Sequence, residues 1–198
     1  EVLSDNWSVI SLDLETIKKE SLLSAKAIDD VVTFKKNKTT KELEEKPIGE
    51  EGRVIPFSLI QQEYFSTEAD EVEKLNNKIS ELSSAIDELL SSIDPEDKAQ
   101  LLKEDGDEID SKKLNGEISK INKELKKGAE FDEGSYQEII LSIGKTKAEL
   151  KKVKDKAKEA SKHLSDETIT KLTNLSDEEI RYLLTKKWVL PICDGING

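Results

Sequence analysis

A heptad pattern near the middle of the chain constrains its fold most strongly. Apolar residues recur there at alternating spacings of three and four: Val72, Leu75, Ile79, Leu82, Ile86, Leu89 and Ile93. This spacing places them on one seam of a long helix, and such a seam must be covered by another helix. The pattern therefore predicts a helical protein, in which Asp94 and Pro95 mark the end of this helix and the start of the next turn.

Similar spacings and capping signals predict four more helices towards the C-terminus. One carries Leu114, Ile118, Ile121 and Leu125 and ends at Gly128, and one begins near Ser135 and carries Ile143, Thr146, Leu150, Val153, Ala157, Ala160 and Leu164. The run Ser165-Asp166-Glu167 is predicted to start a further helix, and Ser176 with Glu179 forms a capping box for a short last helix that Pro191 ends. The apolar face of that last helix would consist of Ile180, Leu183, Leu184 and Trp188.

Residues 1–62 differ from the rest because short apolar runs at 7–12, 31–34 and 54–57 predict strands. The stretch 37–52 is charged, lacks periodicity and contains proline and glycine, so we expect an exposed loop or a mobile hairpin arm. The expected fold is mainly α: a small mixed α/β portion at 1–62, followed at 63–198 by long, antiparallel, coiled-coil-like helices.

The composition restricts the classes of function. A formal charge of −12 and a pI of about 4.8 argue against bulk electrostatic binding of nucleic acid by the whole chain. One cysteine, Cys193, and one histidine, His163, provide neither a disulfide nor a metal cluster. No apolar run approaches the roughly 20 residues that span a bilayer. We therefore expect a cytoplasmic protein without membrane contact. Since it starts at Glu1 and lacks methionine, we expect a piece of a longer chain.

Residue patterns of common active sites are missing from the sequence. No two glycines are separated by one residue, so there is no G-x-G nucleotide loop, and no Asn-Pro-Pro-aromatic motif for a flipped base is present. A nucleophile–base pair of Cys193 and His163 is disfavoured because no oxyanion loop accompanies it. The glycine in Asp105–Asp110 is misplaced for a cation loop. We predict no catalytic, cofactor-binding or metal site in this chain.

The third long helix is rich in lysine between residues 145 and 162, where eight lysines face only three acidic residues. Two interpretations remain open. A solvated face paired with neighbouring acids is favoured, and contact with DNA phosphates or an acidic partner is the alternative.

Two passages resemble one protein family. Residues 52–65, GRVIPFSLIQQEYF, lead directly into the heptad helix, and residues 175–191, LSDEEIRYLLTKKWVLP, follow the pattern Leu, Ser or Thr, Asp-Glu, then Leu-Leu, Lys-Trp and Pro. Both resemble the region after the catalytic domain in the M (modification) subunits of type I restriction-modification enzymes. The resemblance covers residues 46–191.

The resemblance implies an assembly role. In that family the parent is a DNA adenine N6-methyltransferase that uses S-adenosylmethionine, and its C-terminal helices dock on the specificity (S) subunit, which two M subunits flank. A nuclease subunit can join, and DNA is reached only through the complex. The family's catalytic motifs lie upstream, so no catalytic residue is transferred. The partner-binding residues we predict are Ile180, Leu183, Leu184 and Trp188. The alternative is a free-standing coiled-coil scaffold or homodimer whose seam at 72–93 pairs between chains.

Overall fold

Helices dominate the computed structural model, which describes residues 2–36, 43–103 and 108–197. Seven α-helices lie within these ranges: α1 (Val2–Glu20), α2 (Phe57–Tyr64), α3 (Ser66–Ser91), α4 (Pro95–Leu101), α5 (Ser111–Lys126), α6 (Tyr136–Thr173) and α7 (Asp177–Asn197). Two strands, β1 (Ile28–Lys36) and β2 (Leu43–Gly52), pair antiparallel, and a short 3-10 helix, Leu22–Lys26, precedes them. The predicted mainly α class with a small N-terminal sheet is confirmed.

The described chain divides into two compact units. Unit 1 combines residues 1–70 with 161–198, and unit 2 consists of residues 71–160. Unit 1 is therefore built from both ends of the sequence, and unit 2 is inserted between them.

The core of unit 1 joins α7 to the segment around β2 and α2. Its buried members are Ala25, Val54, Ile55, Phe57, Ile60, Leu172, Leu175, Ile180, Leu183 and Leu184. A turn after β2 brings the chain into this core. A Cβ on Gly52 would lie 1.9 Å from the carbonyl oxygen of Ile55, so only glycine allows this approach. The carboxylate of Glu51 then accepts the amide N–H of Phe57 at the start of α2.

Unit 2 has its own core, supplied by α3, α4, α5 and α6. Its buried members are Ile86, Leu90, Ile93, Leu101, Leu114, Ile121, Ile140 and Ile143. The predicted seam is half-buried from Val72 to Leu82 and buried at Ile86 and Ile93. The loop before α6 uses Gly128 and Gly134, whose φ angles of 90° and 77° favour glycine.

Predictions for the N-terminal third were partly wrong. The run at 7–12 is not a strand but lies in α1, because the buried Asp13 and the half-buried Ile10 and Ile17 follow helical spacing. Residues 54–57 are not a strand either, since Val54 and Ile55 form the turn that leads into α2. The strand predicted at 31–34 is confirmed within β1. Of the stretch 37–52, residues 43–52 form β2 and residues 37–42 lie outside the described residues.

Two predicted helix boundaries in the C-terminal third were also wrong. Ser165-Asp166-Glu167 does not start a helix but lies inside α6, because Leu164, the buried Thr168 and Leu172 continue the buried stripe at spacings of four. Pro191 does not end α7, which continues to Asn197. Proline has a helical φ and removes one hydrogen bond, a loss that did not end this helix. The predicted end of the seam helix near Asp94-Pro95 and the predicted end of the following helix at Gly128 are confirmed, since α3 ends at Ser91, α4 starts at Pro95 and α5 ends at Lys126.

Candidate interaction surface

The four predicted partner-binding residues lie on the inner face of α7. The capping box starts this helix as predicted: Ser176 Oγ accepts the N–H of Glu179, and the Glu179 carboxylate accepts the N–H of Ser176. Ile180, Leu183 and Leu184 are buried in the core of unit 1, and Trp188 is half-buried against it. These side chains therefore stabilise the unit itself, and a direct role in binding a partner stays a prediction.

A buried polar network holds α7 against α1. The Asp13 carboxylate, in a residue that is only 6% exposed, accepts hydrogen bonds from Lys187 Nζ at 2.6 Å and from the indole N–H of Trp188 at 2.9 Å. Lys187 also donates to the carbonyl oxygen of Val54 at 2.6 Å. Because each buried charge has an oppositely charged or hydrogen-bonded partner, the network fixes the position of α7 on α1.

A second polar contact joins α7 to α2. Glu63 accepts hydrogen bonds from Lys186 and, at 2.9 Å, from the hydroxyl of Tyr182. The hydrogen bond from Lys186 holds the pKa of Glu63 below its usual value, and the bond from Tyr182 acts in the same direction. The same pair raises the pKa of Lys186. Both groups are therefore ionised at neutral pH.

A third contact ties the start of α7 to α6. Lys171 donates to Glu179, and its Nζ lies 4.2 Å from the centroid of the Tyr64 ring, within cation–π range. The hydrogen bond from Lys171, together with those at Ser176, lowers the pKa of Glu179 to about 2. Three ionic contacts thus fix α7 within unit 1.

Arg53 organises the base of the hairpin. Its Nε and Nη2 donate to the Asp29 carboxylate, with a shortest distance of 2.6 Å, and its Nη1 donates to Glu20 at 2.6 Å. The bond to Arg53 lowers the pKa of Asp29. This fork of donors connects the end of α1, β1 and the residue after β2.

Unit 1 carries nearly all of the exposed large apolar side chains. In the described ranges there are 13 such residues, and only Leu125 belongs to unit 2. The remaining 12 lie in α1 and the 3-10 helix, in the hairpin and in α7: Trp7, Val9, Leu12, Leu14, Leu23, Val31, Val32, Phe34, Leu43, Ile48, Tyr182 and Val189. Contiguous exposed apolar patches mark contact with another molecule more often than scattered single residues do.

One face of the hairpin carries four apolar residues and two charged ones, and we call this face the hairpin strip. Val32, Phe34 and Lys36 alternate on β1 and pair with Pro47, Glu45 and Leu43 on β2, so these residues share a face. Phe34 is 60% exposed and Leu43 is 70% exposed. A two-stranded hairpin alone buries little apolar surface and is at best marginally stable, so exposed apolar side chains on such a hairpin are unusual.

The remaining residues singled out in the sequence lie elsewhere. His163 Nδ1 is 3.1 Å from the Glu167 carboxylate, one turn further along α6, and Cys193 is exposed on α7. The lysine-rich part of α6 is mostly exposed, with Lys78 of α3 paired to Glu149 at 2.8 Å.

Sequence reasoning missed the polar network and the hairpin strip. Asp13 and Lys187 are 174 positions apart, so no local spacing relates them. A signal was nonetheless present: Asp13 stands at helical spacing from Ile10 and Ile17, and a carboxylate on an apolar face calls for a charged partner.

The chain was compared with models of protein families, with curated proteins and with solved structures, and none of the three comparisons found a match. Among the helices of the described ranges, none combines the length and the apolar character needed to cross a membrane.

Proposed function

We propose that this chain is the assembly region of a type I modification subunit and that it docks on a specificity subunit through unit 1. The observation that carries the proposal is that 12 of the 13 exposed large apolar side chains in the described ranges belong to unit 1. The resemblance of residues 52–65 and 175–191 to that family supplies the identity of the partner. Methyl transfer with S-adenosylmethionine, a second M subunit and a nuclease subunit belong to the proposed parent complex.

The hairpin strip and the outer face of α7 are the surfaces proposed to meet the specificity subunit. Tyr182 and Val189 stand seven residues apart, two turns along the exposed side of α7. The predicted residues on the inner side contribute indirectly, because Ile180 and Leu183 anchor the helix that presents this outer face. Aromatic and aliphatic anchors of this type supply most of the free energy at protein interfaces.

The long helices of unit 2 are proposed to pair antiparallel in a coiled-coil-like manner and to act as a spacer. Support comes from the ion pair between Lys78 of α3 and Glu149 of α6, and from Ile86 and Ile143, which those helices contribute to one core. This arrangement would leave the partner contact to unit 1.

The test is co-purification with the specificity subunit encoded beside the full-length parent, followed by light scattering to obtain the mass of the complex. The decisive variant combines Phe34→Ser with Leu43→Ser. Leu125→Ser, which alters an exposed leucine of unit 2, is the control. A truncated chain that ends before Leu175 would be uninformative, because the truncation removes core residues of unit 1.

The double variant should weaken association by at least tenfold, since truncation of interface anchors costs about 1–2 kcal/mol each. The control should stay within about twofold of the unaltered chain, as expected for a surface change worth less than about 0.5 kcal/mol. Circular dichroism should be unchanged for both. Equal behaviour of the double variant and the control would refute docking through the hairpin strip.

A homodimeric scaffold is the second candidate. It is favoured by the half-buried seam residues Val72, Leu75, Ile79 and Leu82, which leave apolar area on α3. Sedimentation of the chain over a wide range of concentrations decides this question. A dimer disrupted by Leu75→Ser would support the scaffold, and a strict monomer would exclude it.

A further inference from the structure

A row of lysines on α6 is the strongest local exception to the acidic character of the chain. Between residues 145 and 158 there are seven lysines against two acidic residues, in a protein of net charge −12. Lys147, Lys151, Lys154 and Lys158 follow spacings of four, three and four, so they lie on one side of the helix. We call these four residues the lysine stripe. It extends over about 16 Å at 1.5 Å per residue.

The charge of the stripe is largely uncompensated. In the part of the chain that the structure describes, Lys151, Lys154 and Lys158 are exposed and have no ion-pair partner. The first interpretation given for these lysines, a solvated face paired with neighbouring acidic residues, fits other lysines of unit 2, such as Lys78 with Glu149 and Lys120 with Glu117. It does not fit these three.

Polar groups of α5 extend the stripe into a groove. Ser111 and Asn115 line a cleft beside Lys147, Lys151 and Lys154, and the lining holds three lysines against one acidic residue, Asp155. Lys147 is half-buried there, and its Nζ donates to Ser111 Oγ at 3.1 Å. Burial lowers the pKa of Lys147 and the charge of Lys103 acts in the same direction, whereas Asp110 and Glu108 oppose the shift. Hydroxyl and amide side chains next to lysines are the groups that contact phosphate oxygens in protein–nucleic acid complexes.

We propose that the lysine stripe of α6 binds the phosphate backbone of a nucleic-acid duplex without reading its sequence. An acidic protein is the less favoured occupant, because protein interfaces are depleted of lysine and enriched in aromatic residues and arginine. The stripe has neither an aromatic residue nor an arginine along it. The inference goes beyond the assembly role and is independent of it, since it concerns unit 2 and needs no specificity subunit.

The same helix provides a matched control. Lys145, Lys152 and Lys156 lie about 150° away around α6, at roughly 100° per residue, and alternate there with Glu149. The stripe variant changes Lys151, Lys154 and Lys158 to Gln, and the control variant changes Lys145, Lys152 and Lys156 to Gln. Each variant removes three positive charges from the same helix, so their net charges are equal and only the position of the change differs.

The experiment measures the fluorescence anisotropy of a labelled 20-base-pair DNA duplex with the 198-residue chain, starting near 20 mM salt. For about four neutralised phosphates, affinity should fall about 100-fold between 50 and 200 mM salt. The stripe variant should bind at least tenfold more weakly, and the slope of log K against log salt should become shallower by about 2.5. The control variant should stay within about twofold at equal helix content.

Three outcomes would overturn the proposal. The first is no binding even at the lowest salt, and the second is an equal loss in the stripe and control variants, which would reflect general electrostatics. The third is tighter, stripe-dependent binding of polyglutamate than of DNA, which would assign the stripe to an acidic protein. A parallel titration with duplex RNA identifies the source of the phosphates: stripe-dependent binding of either duplex supports the proposal, and the tighter one is the ligand.

Discussion

Replacing Asp13 by alanine is the most informative single perturbation of unit 1. Its carboxylate accepts a charge-assisted bond from Lys187 at 2.6 Å and a neutral bond from the indole of Trp188 at 2.9 Å. The two bonds contribute about 1.5–3 and about 1 kcal/mol respectively. The Lys187 side chain, only 19% exposed, would lose its counter-charge.

We therefore expect Asp13→Ala to lower the free energy of unfolding of unit 1 by about 3 kcal/mol. This value lies at the low end of the roughly 3–5 kcal/mol found when one member of a buried ion pair is removed. The low end applies because Lys187 keeps its bond to the Val54 carbonyl. With a urea dependence of about 2 kcal/mol per molar, the unfolding midpoint should fall by about 1.5 M.

The assay is urea unfolding followed by the fluorescence of Trp188. The chain has two tryptophans, and Trp7 is 59% exposed, so a Trp7→Phe background leaves Trp188 as the only reporter without disturbing the core. Glu15→Ala is the control, because it removes an exposed carboxylate from the same helix and also introduces alanine, the best helix former. A cost for Asp13→Ala below about 1 kcal/mol, or equal to that of Glu15→Ala, would refute the stabilising role of the network.

Two further predictions concern the turn after β2 and the start of α7. Gly52→Ala should destabilise unit 1 by about 2–3 kcal/mol through overpacking, because the new methyl group would lie 1.9 Å from the Ile55 carbonyl oxygen. Gly49→Ala, whose Cβ meets nothing within 4 Å, should cost far less in the same urea titration, and equal costs would contradict the contact. The hydrogen bond from Lys171, together with those at Ser176, lowers the pKa of Glu179 from 4.5 to about 2, so ionised Glu179 stabilises the fold above pH 4.5 and this contribution is lost as the pH falls towards 2. Glu179→Gln should flatten the stability profile in that window, and an unchanged profile would exclude this ion pair as its source.

Local signals in the sequence predicted the helical elements well. The capping box of Ser176 and Glu179 forms as expected, since both partners lie within one turn. The turn at Asp94-Pro95 and the spacing of Leu114 and Ile121 likewise depend on neighbours close in sequence. Helix caps and helical spacings relate residues within one or two turns of each other, so helix geometry alone allows them to be recognised in the sequence.

Predictions failed where distant contacts decide the structure. Trp7 and Val9 alternate as in a strand, but the segment is a helix. One side of this helix packs against α7, and that contact, which includes the bond from Lys187 to Asp13, is not visible in the local pattern. The candidate site was affected in the same way. Ile180 and Trp188 were correctly placed on one apolar face. The sequence did not show that unit 1 itself covers this face, because the covering residues include some more than 100 positions away.

The split of unit 1 between the two ends of the sequence affects how it is made by the ribosome. Translation proceeds at about 5–20 residues per second, so Lys187, which lies 174 positions after Asp13, is synthesised roughly 10–35 s later. Unit 2 is contiguous and can fold during this delay, whereas α1 has no partner for Asp13 until α7 emerges. A nascent chain interrupted before α7 therefore exposes an unpaired carboxylate and the apolar core around Ile55 and Ile60. Chaperones and proteases act on such exposed surfaces, so we expect them to bind or degrade chains that end before α7.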